Sequence, residues 1–304
     1  MEDHQKILLS GSSGFLGHHL MLSLRVAGHH VVRLLRNQQE DGVYWNPSHG
    51  FAKREDFEGF DAVIHLAGAG IAQERWTKDR KDQIFLSRCR DTWLLSQVLS
   101  RLHHPPKAVM CASAVGYYGD RGDEELTEES SQGKGFLADL CGKWEKATET
   151  IENQGVRVVH LRLGMVLSAK GGVLKKMLPL FRWGLGGRLG PGTQWMSWIG
   201  IDDFLAALYH CLMREEIRGP VNLVAPAPLT QAKWASILAK KLKRPAVCHL
   251  PSWLLKAIGG EMAKETILAS QRALPAKLLK TGYAFRHPDL ETALDYTLEG
   301  NSVP

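Results

Sequence analysis

Short apolar runs alternate with amphipathic segments along the first 225 residues of the chain. The runs are continuous and rich in β-branched residues, which is typical of parallel strands buried on both faces; they lie at 7–9, 30–36, 60–66, 107–111, 156–163 and 221–224. The segments between them carry apolar residues at helical spacing, which predicts helices from Phe15 to about Ala27, from Thr77 to about Arg101 and over 136–145. Strands that alternate with helices indicate an α/β fold with a doubly wound parallel sheet.

One short stretch, Gly11-Ser12-Ser13-Gly14-Phe15-Leu16-Gly17, joins the first strand to the first helix. Strand, glycine-rich turn and helix is the context in which such a motif binds dinucleotides, with a turn that holds no ligand as the alternative. Glycine permits the tight turn at Gly11, leaves the backbone at Gly14 open to a pyrophosphate, and lets the helix approach the strand at Gly17. The start of the helix adds free N–H groups and the positive end of its dipole. The stretch predicts a cofactor site in a Rossmann-type sheet.

The end of the second strand bears on which dinucleotide is bound, because the adenosine ribose meets the fold there. An acidic residue would bind the 2′-hydroxyl of NAD, but none occurs between Arg33 and Asn37, and Arg36 stands at the strand end. A guanidinium pairs with a phosphate through two parallel hydrogen bonds. We therefore predict NADP(H) rather than NAD as the cofactor, with an exposed strand-end arginine as the alternative.

The pattern changes after residue 170. The stretch 181–192 is rich in glycine and aromatic residues, and from Thr230 onward short helical segments are interrupted by prolines. We predict an NADP-binding domain over 1–170, to whose sheet 200–225 returns, and a smaller, mainly helical C-terminal lobe made of 171–199 and 226–304. Glycine-rich loops at the mouth of such a domain commonly form a substrate lobe. Residues that could line its cleft, or else pack between the lobes, are Arg182, Arg188, Gln194, Trp195 and Trp198.

Composition narrows the classes of partner. The 304 residues are 44% hydrophobic and 23% charged, as in a folded enzyme-sized chain. The net charge of +6 is modest, and aspartates interleave with the basic residues of 75–90, so we expect no nucleic acid partner. Five dispersed cysteines without metal spacing indicate reduced thiols and no metal site. No secretory signal is visible and no apolar run reaches the ~20 residues that cross a bilayer, so we expect a cytoplasmic protein without a membrane partner.

Several motifs together resemble the extended short-chain dehydrogenase/reductase superfamily, which includes nucleotide-sugar epimerases and dehydratases. They are the G-x-x-G-x-x-G spacing near the N-terminus, the wording D-x-V-I-H-L-A-G at 61–68, and a serine followed by a Tyr-Gly pair at 113–119. The resemblance implies that Leu66, Ala67 and Gly68 lie under the adenine and ribose. It also implies that Ser113, at the end of a strand, binds the reacting oxygen of a substrate beside the nicotinamide.

The helix over 136–145 departs from that superfamily. Its members carry Tyr-x-x-x-Lys there, the tyrosine to move a proton and the lysine to lower the pKa of the tyrosine and hold the nicotinamide ribose. Aligned on Glu145, the tyrosine position holds Leu137 and the lysine position holds Cys141. A leucine has no proton to transfer and a cysteine is not a fixed cation, so neither residue can take over this chemistry.

Other side chains would have to supply the proton transfer and the contact with the cofactor. Tyr117 or Tyr118 is the candidate replacement for the proton donor. Arg162, at the end of the 156–163 strand, is a candidate contact of the cofactor or of the site, with a structural role as the alternative. Arg88 stands where the superfamily usually has an asparagine on the preceding helix.

Five further segments make the resemblance more specific and extend it over essentially the whole chain. They are 75–77, 144–145, 186–187, 271–275 and 281–286. The chain is similar to an atypical branch of this superfamily, whose members are labelled epimerase family proteins or cell-division inhibitors and carry a characteristic C-terminal extension. That branch implies no established substrate. Two hypotheses follow: an NADP(H)-dependent oxidoreductase or epimerase acting on an unidentified small molecule, and a non-catalytic NADP(H)-binding regulator or scaffold. A homo-oligomer is compatible with both.

Overall fold

The computed structural model describes residues 4–37, 41–49, 53–72 and 74–299. Within these ranges the central sheet contains seven strands, which are β1 (Lys6–Ser10), β2 (His30–Leu35), β3 (Val43–Tyr44), β4 (Ala62–His65), β5 (Ala108–Ala114), β6 (Arg157–Leu163) and β7 (Gly219–Leu223). All their pairings are parallel, and their order is β7-β6-β5-β4-β1-β2-β3. The chain runs outward from β1 in one direction and from β4 in the other, so the winding reverses between these two strands. The predicted doubly wound, Rossmann-type α/β fold is confirmed.

The helices lie between these strands and in the C-terminal part of the chain. They are α1 (Phe15–Val26), α2 (Lys78–Phe85), α3 (Asp91–Leu99), α4 (Phe136–Lys146), α5 (Glu149–Glu152), α6 (Gly172–Arg182), α7 (Ile201–Met213), α8 (Gln231–Lys241), α9 (Ser252–Thr266), α10 (Ala276–Lys280) and α11 (Leu290–Leu298). Short 3₁₀ turns lie at Pro47–His49, Arg54–Phe57 and Val115–Tyr118. Among the described residues, no helix has the length and apolarity needed to cross a membrane.

The helix predicted from Thr77 to about Arg101 is divided by a π-helical turn, Leu86–Arg90, which separates α2 from α3. Its start is as expected, because the Thr77 hydroxyl accepts a hydrogen bond from the Arg80 N–H. After β6 the chain forms a further short strand, because 165–167 pairs in parallel with 198–200. Among the described residues, three further two-stranded pairs lie outside the central sheet, joining 125–126 to 272–273, 187–189 to 248–250, and 195–196 to 229–230.

Apolar residues cover both faces of the sheet. Ile7 and Leu9 pack with α1 and α7, whereas Leu8 packs with α3 and α5 on the opposite face. All three side chains are completely buried. Burying such a side chain contributes about 1.5–3 kcal/mol, so each helical layer is held by the strand residues that point toward it.

The C-terminal lobe has its own core, in which α6, α8 and α11 pack around Trp198 and Trp234. Both indoles are fully buried. The Gln194 side chain is also buried, and its amide donates to the carbonyl oxygens of Leu189 and Ile267. Trp198 and Gln194 therefore belong to the packing of the lobe and do not line a cleft, which is the alternative left open by their sequence.

The stretch 198–203 resembles a turn in which the superfamily usually caps the following helix with an aspartate, so a structural role is expected for Asp202 or Asp203. The cap itself is not found. The residue that precedes α7 is Gly200, and no side chain caps the helix. The buried Asp203 carboxylate instead accepts hydrogen bonds from the Tyr283 hydroxyl and from the backbone of Arg286 and His287. It fixes the C-terminal segment against the sheet domain.

Candidate functional site

The glycine-rich turn has the backbone that its spacing predicts. Gly11 has φ of +74°, in the left-handed region that favours glycine, and the Gly14 N–H donates to its carbonyl oxygen at 3.0 Å. A Cβ added at Gly17 would lie 2.1 Å from the Gly11 carbonyl oxygen, so only glycine lets α1 approach the turn this closely. At Gly14, which precedes α1, an added Cβ would meet only the Gly11 oxygen, at 3.2 Å.

The turn lies against the segment that follows β4. A Cβ at Gly11 would be 2.8 Å from the Leu66 carbonyl carbon and 2.9 Å from the Ala67 nitrogen. The predicted cofactor residues 11–17 and 66–68 are therefore brought together where the carboxyl ends of β1 and β4 meet. This is the point at which the winding of the sheet reverses, and open α/β sheets bind ligands there.

A buried histidine supports this junction. The Ser10 hydroxyl is 2.7 Å from His65 Nδ1, and the same hydroxyl accepts from the Ala67 N–H at 3.3 Å. Burial, with the charge of Arg36, lowers the pKa of His65 to about 4. The imidazole is therefore neutral at physiological pH. Only the pairing of β1 with β4, which places residue 10 beside residue 65, makes this contact visible.

Three arginines surround the end of β2. Arg36 donates to one oxygen of the Asp91 carboxylate at 3.0 Å, and Arg90 donates to the other at 2.8 Å. The Asp91 side chain is 5% exposed, whereas that of Arg36 is 60% exposed. Arg33 donates to the Ser12 hydroxyl at 3.1 Å and ties the glycine turn to β2. Arg36 thus stands beside the turn in an ion pair that its sequence position does not reveal.

A buried polar chain runs across the carboxyl ends of β5, β6 and β7. The parallel register places Ser113, Arg162 and Asn222 side by side on these strands. The Ser113 hydroxyl donates to Glu145 of α4 at 2.7 Å, and Arg162 donates to both oxygens of that carboxylate at 2.8 Å. Arg162 also donates to the Tyr118 hydroxyl at 3.0 Å, which lies 2.7 Å from Asn222 Oδ1.

The structure does not support Tyr118 as a proton donor or Arg162 as a contact of the cofactor. Burial raises the pKa of Tyr118 to about 12, and its hydroxyl is held by Arg162, Asn222 and the Thr127 carbonyl. Burial alone would lower the pKa of Arg162, but its hydrogen bonds to the Glu145 carboxylate raise it. All three guanidinium nitrogens donate inside the chain. The structural alternative for Arg162 is therefore favoured, and Tyr118 is not available as a proton donor.

Tyr117 differs from its neighbour. It is half-buried, and the Arg162 guanidinium carbon lies 3.5 Å from the centre of its ring. This cation–π contact orients the ring. Among the described residues, its hydroxyl has no hydrogen-bond partner. Tyr117 is therefore the tyrosine of this pair whose hydroxyl is free to meet a ligand.

The two aligned positions of α4 are apolar and buried. Leu137 is 8% exposed and Cys141 is 2% exposed. Both pack under the turn that follows Ser113, because a Cβ at Gly116 would lie 3.3 Å from Leu137 Cβ and 3.8 Å from Cys141 Sγ. Burial raises the pKa of the Cys141 thiol to about 12, so this side chain is neutral.

A cation lies beside Cys141 on the facing helix. Arg88, in the π-helical turn, is 7% exposed, and its guanidinium carbon would lie 3.2 Å from a Cβ at Gly68. It stacks over the Trp144 ring, and its buried Nε has no hydrogen-bond partner. Within the described residues no carboxylate pairs with it, and burial lowers its pKa. π-Helical turns are frequent at functional sites, and this one directs an arginine toward Gly68, one of the predicted cofactor contacts.

The C-terminal lobe supplies the start of α4. The Glu265 carboxylate, from α9, accepts hydrogen bonds from the Phe136 and Leu137 N–H groups at 2.9 Å and 2.7 Å. Gly135 precedes the helix with φ of +113°, and a Cβ there would lie 2.9 Å from Glu265 Oε1. The sequence holds no local signal for this cap, because the partners are 128 and 129 residues apart.

A cleft of about 370 Å³ lies next to this cap, between α2, α4 and α9. Aromatic rings of Trp76, Phe85 and Phe136 line it, and the ion pair of Lys81 with Glu261 crosses it at 2.8 Å. None of the residues predicted from the sequence to contact cofactor or substrate lines this cleft.

Two family models match the chain. The NAD dependent epimerase/dehydratase family matches residues 7–223, which contain the sheet, the glycine turn and the Ser113 chain. A domain of unknown function (DUF1731) matches residues 250–297, from α9 to α11. The characteristic C-terminal extension implied by the resemblance is thus confirmed.

Relatives match over nearly the whole length. Epimerase family protein Mb2239 of Mycobacterium bovis is 40% identical over 292 residues, which are 95% of this chain and 96% of that protein. Human epimerase family protein SDR39U1, solved with NADPH, matches with a TM-score of 0.89 and 32% identity, over 97% of this chain and 99% of that one. A nucleoside-diphosphate sugar epimerase from Corynebacterium glutamicum matches with a TM-score of 0.82 and 35% identity, over 97% of this chain and 58% of that one. The chain therefore belongs to the NAD dependent epimerase/dehydratase family.

Proposed function

We propose that this protein binds NADP(H) at the carboxyl ends of β1, β2 and β4 and acts as an oxidoreductase or epimerase on a small molecule with a hydroxyl or carbonyl group. The observation that carries the proposal is the 2.7 Å hydrogen bond from Ser113 to Glu145, because it holds a reactive hydroxyl at the sheet edge where ligands bind. The human relative solved with NADPH supports the choice of cofactor.

The glycine turn fits a pyrophosphate. No side chain caps α1, and its first turn contains no acidic residue, so its free N–H groups and the positive end of its dipole face outward. Gly14 leaves the space in front of these groups without a side chain. Phosphates bind such helix starts through backbone N–H groups.

Arg36 is the side chain that would distinguish NADP(H) from NAD(H). It is exposed beside the turn, and its partner Asp91 is shared with Arg90, so one carboxylate does not neutralise both guanidiniums. A phosphate on the ribose 2′-oxygen would gain a charge-assisted hydrogen bond of about 1.5–3 kcal/mol. Replacing Arg36 with alanine should therefore weaken NADPH binding by roughly 10- to 100-fold and leave the affinity for NADH almost unchanged. Equal losses for both dinucleotides, measured by fluorescence titration, would reject this assignment.

Ser113 and Glu145 would handle the proton. Ser113 already donates its hydrogen to Glu145, so its oxygen lone pairs are available to accept a hydrogen bond from a substrate hydroxyl. Arg162 holds the carboxylate in position through two hydrogen bonds of 2.8 Å. As the substrate proton moves to Ser113, the serine proton can move to Glu145. When bound, the nicotinamide would carry the hydride of the same reaction.

Arg88 would supply the positive charge of the site. Its guanidinium is almost fully buried, has no carboxylate partner among the described residues, and lies under Gly68 next to Cys141. A buried cation without a counter-ion favours an anionic ligand group within reach. We infer that it holds a phosphate or carboxylate of the ligand. Arg88→Gln should then weaken ligand binding more than Arg88→Lys does, whereas a purely packing role predicts equal effects.

The proposed chemistry can be tested through NADPH consumption with carbonyl compounds and nucleotide sugars. Ser113→Ala should lower turnover by about 10²–10⁴-fold and leave NADPH binding intact, because Ser113 acts on the proton and not on the dinucleotide. Ser236→Ala, an exposed serine on α8, is the matched control. Wild-type turnover by Ser113→Ala would reject the mechanism.

A second candidate function is a non-catalytic NADP(H)-binding regulator or scaffold. The apolar burial of Leu137 and Cys141 favours it, since these positions of α4 hold no group that can move a proton. In this case NADPH binds and raises the melting temperature, by the equivalent of about 2.7 kcal/mol at 100 times its Kd, while no substrate is turned over. Failure of NADPH to bind would reject both candidates.

A further inference from the structure

Two segments of the C-terminal lobe contain no acidic residue. Residues 171–199 hold four lysines and arginines and residues 226–260 hold six, with no aspartate or glutamate in either segment. Because the whole chain carries +6, the remaining residues carry a net charge of −4. Nine of these ten side chains are exposed, and the half-buried one is Lys241, which pairs with Asp295. The positive charge of the molecule is therefore concentrated on this lobe.

Large apolar side chains are exposed in the same segments. Trp183 is 82% exposed, Val247 is 77% exposed and Trp253 is 70% exposed, and Leu180, Leu185 and Leu250 are exposed as well. Single apolar side chains on a surface are ordinary. A group of them that includes two indoles marks an interaction site, and tryptophan is enriched where one side of a contact is apolar and the other is wet.

Backbone contacts bring the segments that carry these side chains together. The Leu185 N–H donates to the Leu180 carbonyl at 2.9 Å, which folds the loop after α6 back onto the helix end. Strand 187–189 pairs with strand 248–250, and a Cβ at Gly184 would lie 3.6 Å from Pro245. Residues 180–188 and 243–253 are thus adjacent in the fold, and their exposed side chains are termed here the basic apolar surface.

The turn after α8 holds its cations at a local conformational cost. Lys243 has φ of +53°, a region that glycine normally occupies at the end of a helix. The N–H groups of Lys243 and Arg244 close the helix end on the carbonyls of Lys240 and Ala239. Both side chains are exposed, and so is that of Val247. A glycine at 243 would relieve the backbone but would remove a charge from the basic apolar surface.

We propose that the basic apolar surface docks onto the face of an anionic lipid bilayer. Trp183, Trp253 and Leu185 would enter the boundary between headgroups and acyl chains, and the lysines and arginines would lie against lipid phosphates. This is a peripheral contact and needs no spanning helix. The expectation of no membrane partner rested on the lack of an apolar run long enough to span a bilayer. That lack does not argue against peripheral binding.

Two other occupants fit the surface less well. A second copy of the chain in a two-fold contact would press two acid-free, positively charged faces together, and this is repulsive. A nucleic acid would use the cations and stack on the indoles, but it offers no apolar environment for Leu180, Leu185 and Val247. An anionic bilayer satisfies the charges and the apolar side chains together.

The test is sedimentation of the full chain with vesicles of phosphatidylcholine alone or mixed with phosphatidylglycerol. We expect binding to the mixed vesicles, weak binding to the neutral ones, and loss of binding as salt is added. The double variant Trp183→Ser with Trp253→Ser should bind at least about tenfold more weakly, because both interfacial anchors are lost. The double variant Lys243→Gln with Arg244→Gln should bind roughly 30-fold more weakly, at about fivefold for each cation.

Val26→Ser is the matched control, since Val26 is 90% exposed on α1 outside the basic apolar surface, and it should bind vesicles like the wild type. Melting curves establish that all variants fold. The proposal is overturned if the mixed vesicles do not bind the chain, or if the tryptophan variant binds them as the wild type does. Tighter binding to duplex DNA or RNA at the same salt, lost in the same variants, would assign the surface to nucleic acid. A dimer in analytical ultracentrifugation that the tryptophan changes dissociate would assign it to a second copy.

Discussion

The helices α1 and α4 both begin near the carboxyl edge of the sheet, and they begin in opposite ways. α1 follows Gly14, has no side chain on its first N–H groups and has no acidic residue in its first turn. α4 follows Gly135, and the Glu265 carboxylate accepts from its first two N–H groups. Every α-helix start carries the same free donors and the same positive dipole end. The two regions differ in what the rest of the chain brings to those donors.

This difference distinguishes a helix start whose donors are not covered by side chains from one whose donors are satisfied within the chain. The donors of α1 stay available to an external anion, and glycines keep side chains away from them. The donors of α4 are satisfied by the C-terminal lobe, so α4 joins that lobe to the sheet. At its other end α4 carries Glu145, which is held by Arg162 on β6. α4 therefore works as a fixed support for Ser113 rather than as an anion site.

The largest loss of stability is expected when the ion pair between Arg162 and Glu145, which holds α4, is removed. Arg162→Met should lower the free energy of unfolding by about 3–5 kcal/mol, because Glu145 would stay buried without its cation. Urea unfolding measures the loss. Arg214→Met is the control, since the pair of Arg214 with Glu216 is more than half exposed and should change stability by less than about 1 kcal/mol. If Arg162→Met costs no more than this control, Arg162 does not hold α4.

The α1 side responds to pH through His65. Its pKa is about 4 in the folded chain and near 6.5 in the unfolded one, so the imidazole is neutral in both states above pH 6.5. As the pH falls from 6.5 to 4, the unfolded chain takes up a proton that the folded chain refuses, and the free energy of unfolding should drop by about 3 kcal/mol. Urea midpoints across this range measure the drop. His65→Gln should flatten it, and an unchanged profile in that variant would assign the drop to other groups.

The contact of α1 with its turn is tested at Gly17. Gly17→Ala places a Cβ against the Gly11 carbonyl, which is backbone and cannot rotate away, so the turn must shift. We expect a loss of about 2–3 kcal/mol in stability together with weaker NADPH binding. Gly200→Ala is the control, because a Cβ there has no neighbour within 4 Å, and it should cost less than about 1 kcal/mol. Equal affinity for NADPH in wild type and Gly17→Ala would show that the turn does not form the cofactor site.

The smallest effect is expected at the α4 cap. Glu265→Gln keeps the shape of the side chain and removes its charge, so it should cost about 1 kcal/mol and speed hydrogen exchange of the Phe136 and Leu137 amides. Glu261→Gln, one turn earlier on α9, removes an exposed pair with Lys81 and should leave these amides unchanged. If both variants exchange alike, the cap does not set the stability of the α4 start.

Much of the fold follows from local pattern. The predicted strands and helices recur within a few residues of their observed bounds, since periodicity of apolar residues reports directly on burial. The chain could not reveal the π-helical turn at Leu86–Arg90 or the pairing of 165–167 with 198–200. The first needs a tertiary contact to favour it over a regular helix. The second joins short segments that have no pattern of their own.

The site divides in the same way. The glycine spacing predicted a dinucleotide turn, because tight backbone geometry restricts single positions to glycine. The sequence around Ser113 predicted a serine at a strand end. The roles of Tyr118 and Arg162 depended on which side chains they contact. The two residues contact each other although they are 44 residues apart in the sequence. Both residues have the right chemistry for a ligand, but the buried chain satisfies them first.

For the opening turn, sequence alone was sufficient: Gly11, Gly14 and Gly17 already imply a close approach of strand, turn and helix, and a Cβ at Gly11 or Gly17 would indeed lie less than 3 Å from backbone atoms. What only the tertiary structure decided is which helix start stays open and which is closed. Glu265 is distant in sequence from α4, and Asp91 from Arg36, so their pairing has no local signature. Local sterics act between neighbours in the chain, whereas charge and hydrogen bonding act between whichever groups the fold brings together.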